Sequence, residues 1–317
     1  MNWTRRRFLS ATAAAGLALS GRELLARPER SKLRIVLFAG PASHGYGAHE
    51  HPASCKYLTD TLNTWGGVEA VCIEGQWPGL NDPRLKGAKA LYVYCDGLSH
   101  HPFKSAMADI DKLVEQGVGI GMLHYALIPD KKQDYPHMLD WLGGYYEPHW
   151  SVNPHWHATI KQVPDHAITR GVGAFDIQDE WYYHMRFNEG MKGVTPLLTA
   201  TPPDATRKRK HGPHSGNPHV AARLGKEEHL AWAYENEKGN RGFGFTGLHF
   251  HWNLAHDTFR QFLLNAAVWL AGADVPQVGV ESPTPTLDEL IAYIGDPPGK
   301  FNREAVEQRL ASFKQSA

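Results

Sequence analysis

Apolar and polar positions alternate along this chain in blocks rather than in a single rhythm. Residues 33–40 form a short apolar run closed by Gly40, the pattern of a strand buried on both faces. Residues 68–73, 88–95 and 118–123 repeat it, the third stopping at Asp96-Gly97 and the fourth at His124. Between them lie amphipathic stretches at 52–65 and 103–116, which predict helices. Buried strands alternating with helices imply βαβ units, a parallel sheet and right-handed crossovers, hence an α/β protein.

Beyond about residue 145 the texture becomes strand-like, at 155–160, 181–187, 230–234 and 243–250. A helix is expected over 257–270, with Phe259, Phe262, Leu263 and Ala266 on its apolar side. Arg207-Lys-Arg-Lys210, with His211, His214 and His219 nearby, reads as an exposed, solvated basic insert. The tail from 273 to 317 begins Pro-rich and then predicts two short helices. Thr286-Leu-Asp-Glu289 is a capping box for the first, and Asn302 caps the second, whose Val306, Leu310 and Phe313 share a face.

The first 30 residues carry Thr4-Arg-Arg-Arg-Phe-Leu9, a mild apolar stretch from Ala11 to Leu19 and a candidate cleavage position at Ala26. This is the pattern of a twin-arginine export signal, so a periplasmic protein is expected, with residues 31–272 as the main α/β domain. No apolar run in the body approaches the roughly 18 residues of a membrane span. Among 317 residues, 33 Lys+Arg balance 33 Asp+Glu, which leaves no basic excess for nucleic acid. Three cysteines without C-x-x-C spacing suggest neither a disulfide framework nor a thiolate metal site. The outlier is histidine, with 19 residues concentrated in a few loops.

In open parallel sheets, ligands bind outside the carboxyl ends of the strands. The loop after the first strand holds His44, Tyr46, His49, Glu50 and His51. The third strand ends in Asp96 with His100 and His101 beyond, and the fourth ends at His124. Three successive strands therefore aim histidines at one edge. In Asp179-Glu-Trp-Tyr-Tyr-His184, a period of two sets Glu180, Tyr182 and His184 on one face, opposite Trp181. His249-Phe-His251, if extended, projects two imidazoles together, a bidentate arrangement suited to zinc-type ions, and His155 and His157 repeat it. A shared metal is expected among His44, His49, His51, His124, His249 and His251, with His44, His124, His249 and His251 as the favoured ligands. Glu180, His124 and His184 are the candidate acid–base groups, and Tyr46, Asp96, Trp150, Trp181, Tyr182 and Trp252 the candidate substrate walls.

These residues carry a resemblance. Gly119-Ile-Gly-Met-Leu-His-Tyr-Ala126, Gly143-Gly144 with His149, Asp165-His-Ala-Ile-Thr169, Asp179-Glu-Trp-Tyr182 and Gly247-Leu-His249 occur in order. Together they resemble the trehalose-utilisation, ThuA-like family over roughly residues 32–272. The resemblance implies a class I glutamine-amidotransferase-like fold, a flavodoxin-like three-layer sandwich with a mostly parallel sheet. Amidotransferases of that fold use a cysteine at the turn after the fourth strand. This chain has His124 there, which argues against thiol acyl transfer. His251 and the insert at 207–219 depart from the family pattern.

The resemblance further implies a small-molecule carbohydrate substrate. Family members accompany dehydrogenases that oxidise a sugar ring to a ketone, which acidifies the neighbouring C–H. The expectation is a lyase or hydrolase acting on keto-glycosides, with a divalent ion polarising the carbonyl, Glu180 as base or orienter and no nucleotide cofactor. The alternatives are a non-catalytic sugar- or metal-binding protein, and a metal-independent hydrolase using Asp179 and Glu180.

Overall fold

Arg34–Ala39 forms β1, and its Ile35, Leu37 and Ala39 face one layer while Val36 and Phe38 face the other. Residues 32–313 are described by the structure, a computed structural model; the expected export signal at 1–30 lies outside them. The elements that follow are α1 (His51–Trp65), β2 (Glu69–Glu74), β3 (Ala88–Tyr94), α2 (Met107–Glu115), β4 (Gly119–Leu123), α3 (Tyr135–Leu142) and β5 (Gly144–Tyr145). Next come β6 (His155–Ile160), β7 (Phe175–Glu180), β8 (Arg186–Phe187) and β9 (Val194–Ala200). The chain continues through α4 (Asp204–Arg207), α5 (Pro218–Ala221), β10 (Glu228–Glu235), β11 (Arg241–Phe245) and α6 (Asp257–Leu270), and closes on α7 (Leu287–Ile294) and α8 (Arg303–Phe313).

Seven strands make the central sheet in the order β2-β1-β3-β4-β11-β10-β9. The pairs from β2 to β11 are parallel, and β10 and β9 add antiparallel strands at one edge. Helices α1 and α6 pack on one face and α2 and α3 on the other, giving the expected three-layer α/β sandwich. β6 and β7 form a separate antiparallel pair in the α1/α6 layer, with Trp156, Ala158, Phe175 and Ile177 in its core.

Several expectations change. The predicted strand at 181–187 survives only as Arg186–Phe187; residues 181–185 are an irregular, mostly buried segment. The predicted strand at 243–250 ends at Phe245. The insert is not a free basic loop. Arg207 is fully buried and donates to Glu228, and His219 lies against Trp150. Lys208, Arg209, Lys210 and His211 are exposed. The tail helices form as predicted: the Thr286–Glu289 capping box closes α7 and Asn302 Oδ1 accepts from Ala305 N–H at α8. Both pack on the body, where Leu290 is buried and Tyr293 OH donates to Asp60. Among the described residues no helix is long and apolar enough to cross a membrane.

Candidate functional site

Four groups converge over the carboxyl ends of β1, β4, β7 and β11. Ring nitrogens of His49, His124 and His249 and a carboxylate oxygen of Glu180 all lie within 4.8 Å of one another. Each sits at or beyond the carboxyl end of a strand. His124 follows β4 with φ 54°, and His49 sits in the loop after β1 with φ 49°. Glu180 is the last residue of β7. His249 lies four residues past β11, after Leu248 at φ 77°.

The backbone of this site is stitched together. His49 N–H donates to the His249 carbonyl at 2.9 Å, and His251 N–H donates to that of Gly47 at 2.9 Å. Asp179, fully buried, accepts from Leu248 N–H at 2.7 Å, His249 N–H at 3.0 Å and Asn253 Nδ2 at 2.9 Å. It also accepts from Glu180 N–H at 2.8 Å. With four donors on it, Asp179 is a fastening for the 248–249 turn and has no capacity left for hydrolytic chemistry. Tyr94 OH donates to the Leu248 carbonyl and braces the same turn.

Hydrogen-bond partners decide the tautomers. His124 Nδ1 is 2.8 Å from the Thr246 carbonyl, which only accepts, so Nδ1 carries the proton and Nε2 a lone pair. His49 Nδ1 is 3.1 Å from Asp96 Oδ1, a carboxylate also held by Ser43 Oγ at 2.8 Å, so its Nε2 is likewise an acceptor. Those two Nε2 atoms face each other at 3.1 Å. Glu180 Oε2 is 3.2 Å from His124 Nε2 and 3.1 Å from His249 Nδ1. The His249 nitrogen is buried yet makes no hydrogen bond. A carboxylate oxygen and imidazole lone pairs aimed at one point repel one another unless a cation or protons sit among them. Imidazoles whose far N–H groups are held by a carboxylate and a carbonyl are the usual form of metal-ligating histidine. The residues present therefore fit a divalent, zinc-type ion.

Burial disfavours charge on the His49 and His51 imidazoles, while Glu180 stays ionised. Burial pushes His49 down to about 3, against the Asp96 hydrogen bond. Burial likewise holds His51 at about 4. Burial alone would raise Glu180, but the His124 and His249 rings beside it outweigh that and hold the carboxyl well below its ordinary range.

The remaining predicted residues fall into two groups. His44, exposed, has its ring 3.8 Å from that of His49 and tilted to it, and lines the cluster without joining the four, grouping instead with His49 and Asp96. Asp96 stands behind His49. Tyr182 is buried with its ring stacked on His124 and its hydroxyl 3.1 Å from Nε2. Each of these borders the cluster.

Others are elsewhere. His251 is fully buried with Nδ1 2.8 Å from Ser54 Oγ; because β11 stops at Phe245, the segment is not extended and the two histidines diverge. His184 has φ 60°, stacks on Trp150 and lies 3.7 Å from Glu228, because β7 ends at Glu180 and the period of two ends with it. Trp181 is fully buried against Phe245 and Phe259, and Trp252 is buried beside Tyr46 and Phe301, so neither offers a face to a sugar. Trp150 is packed by His184, His219 and Arg186. Tyr46 donates to the Gly295 carbonyl at 2.6 Å, toward the tail. His101 is also turned inward, bonded to the Ala126 carbonyl, so β3 contributes Asp96 rather than an imidazole.

Exposed or half-exposed rings rim the cluster instead. His155 has Nε2 3.9 Å from Glu180 Oε1 and its ring 4.8 Å from that of His249. Tyr125, next to His124 in sequence, stands 5.7 Å from the His49 ring. His155 was legible only as half of an H-x-H pair, and its partner His157 pairs with Asp176 away from the site. A cleft of about 680 Å³ lined by Ser43, His44, Gln76, Asp96, His100 and Lys104 adjoins the cluster, of a size suited to a small ligand.

A doubly wound sheet with a histidine–carboxylate centre at its carboxyl edge defines the class of protein. Residues 34–270 match the family described as trehalose utilisation, ThuA, and the chain belongs to that family. The family's description points to a carbohydrate-related role. Among solved structures, a ThuA-like protein from Bacteroides uniformis ATCC 8492 superposes with a TM-score of 0.53 at 17% identity, covering 78% of this chain and 94% of that one. A ThuA-like protein from Parabacteroides merdae ATCC 43184 gives the same TM-score of 0.53 at 16% identity, over 78% and 92%. These likenesses concern the fold. No curated protein sequence matches.

Proposed function

We propose that this protein is a metal-dependent periplasmic enzyme that cleaves oxidised (keto) glycosides. The observation that carries the reading is the face-to-face placement of acceptor atoms from His49, His124, His249 and Glu180. These four residues would hold a divalent ion. Bound there, such an ion supplies Lewis acidity that polarises a ring ketone and acidifies the adjacent C–H. Family membership supports a sugar as substrate, and the adjoining cleft has room for one. The arginine-rich leader supports export.

The chain's own residues divide the remaining work. Glu180 has Oε2 in the cluster and Oε1 accepting from Asn153 Nδ2 at 3.1 Å, so it holds the centre rather than taking a proton. His155, half-exposed at the rim, is the base that removes the proton next to the ketone. Elimination then breaks the glycosidic C–O bond; the electron pair leaves with the departing oxygen, which is protonated from the rim, where His44 is placed to donate. Tyr182 and Thr246 keep the His124 ring in one orientation.

The test is incubation of the purified, untagged protein with a 3-keto-disaccharide, with and without chelator. Cleavage that stops on chelation and returns with zinc is expected. Intact substrate under every metal condition overturns the reading.

A further inference from the structure

The family match ends at residue 270, yet the tail beyond it reaches the centre. Arg309 on α8 donates from Nη2 to the Gln178 carbonyl at 2.6 Å and to Asn253 Oδ1 at 2.9 Å, and its guanidinium lies 4.1 Å over the Phe250 ring. Asn253 in turn donates through Nδ2 to the Gln178 carbonyl at 3.0 Å and to Asp179 Oδ2 at 2.9 Å. Asp179 fastens the amides of Leu248, His249 and Glu180. The links run unbroken from a tail cation to the two segments that carry His249 and Glu180.

Physical reasons make this more than tail docking. Asp179 is a fully buried carboxylate with no direct ion pair among the described residues, and a buried charge without compensation is costly. Arg309 lies close enough to Asp179 to feel its charge. The planar guanidinium reaches two acceptors at once and covers an aromatic face, a combination an ammonium does not reproduce. Asn253 presents its oxygen to Arg309 and its NH₂ to Asp179, so the cation fixes which way that amide points.

We propose that Arg309 is a positioning residue for the centre, acting through Asn253 and Asp179 to hold His249 and Glu180 in register. The proposal rests on the assignment of those two residues to the site, and its first readout needs no metal. In the full chain, Arg309→Met is expected to speed hydrogen exchange of the Leu248 and His249 amides by about tenfold. Tyr293→Phe, which removes a different tail contact, is expected to leave both amides unchanged. Arg309→Lys is expected to fall between wild type and Arg309→Met. With Asn253→Ala already present, Arg309→Met adds nothing, because the relay is already cut. Unchanged protection of both amides in Arg309→Met, or equal loss in Tyr293→Phe, overturns the proposal.

Zinc titration of the same proteins, by competition with a chromogenic chelator, separates this inference from the functional reading. Binding about tenfold weaker in Arg309→Met is expected, the usual effect of removing an outer partner of a metal site. Wild-type protein that takes up no zinc refutes the metal reading, while faster amide exchange in Arg309→Met still upholds the relay. Tight wild-type binding with unchanged affinity in Arg309→Met refutes the relay alone.

Discussion

Each histidine of the centre is defined less by its own position than by what holds its other nitrogen. Asp96 does this for His49, and the Thr246 carbonyl does it for His124. Asp96→Ala is therefore expected to weaken zinc binding by about tenfold to a hundredfold while leaving the four first ligands in place, as chelator competition would read. A variant with undiminished affinity would show that His49 needs no such support. At this scale the sequence is partly legible. His124 and His249 stand where apolar runs end, and termini of buried strands open toward ligands. His184 and His251 misled because a period of two holds only while the backbone is extended, and it is not extended past Glu180 or past Phe245. His101 shares its strand end with Asp96 but is drawn into the core by the Ala126 carbonyl, a competition that residue spacing does not reveal.

Among elements, the central strands β4 and β11 are unusual in carrying Gly119, Gly121, Gly242 and Gly244. A Cβ at Gly242 would stand 2.2 Å from the Trp141 carbonyl oxygen at the end of α3, and one at Gly119 2.4 Å from that of Leu270 at the end of α6. The bare backbone lets both helices approach the sheet beneath the centre. Gly242→Ala is expected to destabilise the fold by about 1–3 kcal/mol, since backbone must move to admit the methyl. A lowered urea midpoint with unchanged slope would confirm it, and an unchanged midpoint would refute it. The first four strands, β1 to β4, were readable because buried strands are continuous apolar runs. β9 was not, because Pro196 interrupts a run that a central strand would not tolerate, and β9 indeed lies at the sheet edge.

Over the whole molecule, balanced charge conceals a few buried ionic ties, of which the one anchoring the insert is the clearest. Glu228 accepts from fully buried Arg207 at 2.8 Å and from Arg223 at 2.7 Å. Burial alone would raise its carboxyl, but the nearby His184 and the hydrogen bonds from Arg223 and Arg207 outweigh that and hold it at about 2. A depressed carboxyl contributes stability above its unfolded value, near 4.5, which is lost as pH falls toward about 2. Glu228→Gln is expected to cost about 3–5 kcal/mol at pH 7 because it strands Arg207. The difference in Tm between the two proteins should narrow below about pH 4.5; a constant difference would assign the stability elsewhere. The sequence offered no sign of this tie, since the basic run around Arg207 looks like any solvated loop until Glu228 is brought beneath it. The left-handed backbone at His44, His49 and His124 has a consequence of its own. Each such turn in a side-chain-bearing residue costs about 1–2 kcal/mol that glycine would spare. Laboratory selection for heat resistance alone would thus drift toward glycine at these positions, trading reactivity for robustness, so any thermostabilised descendant should be screened for retained chemistry first.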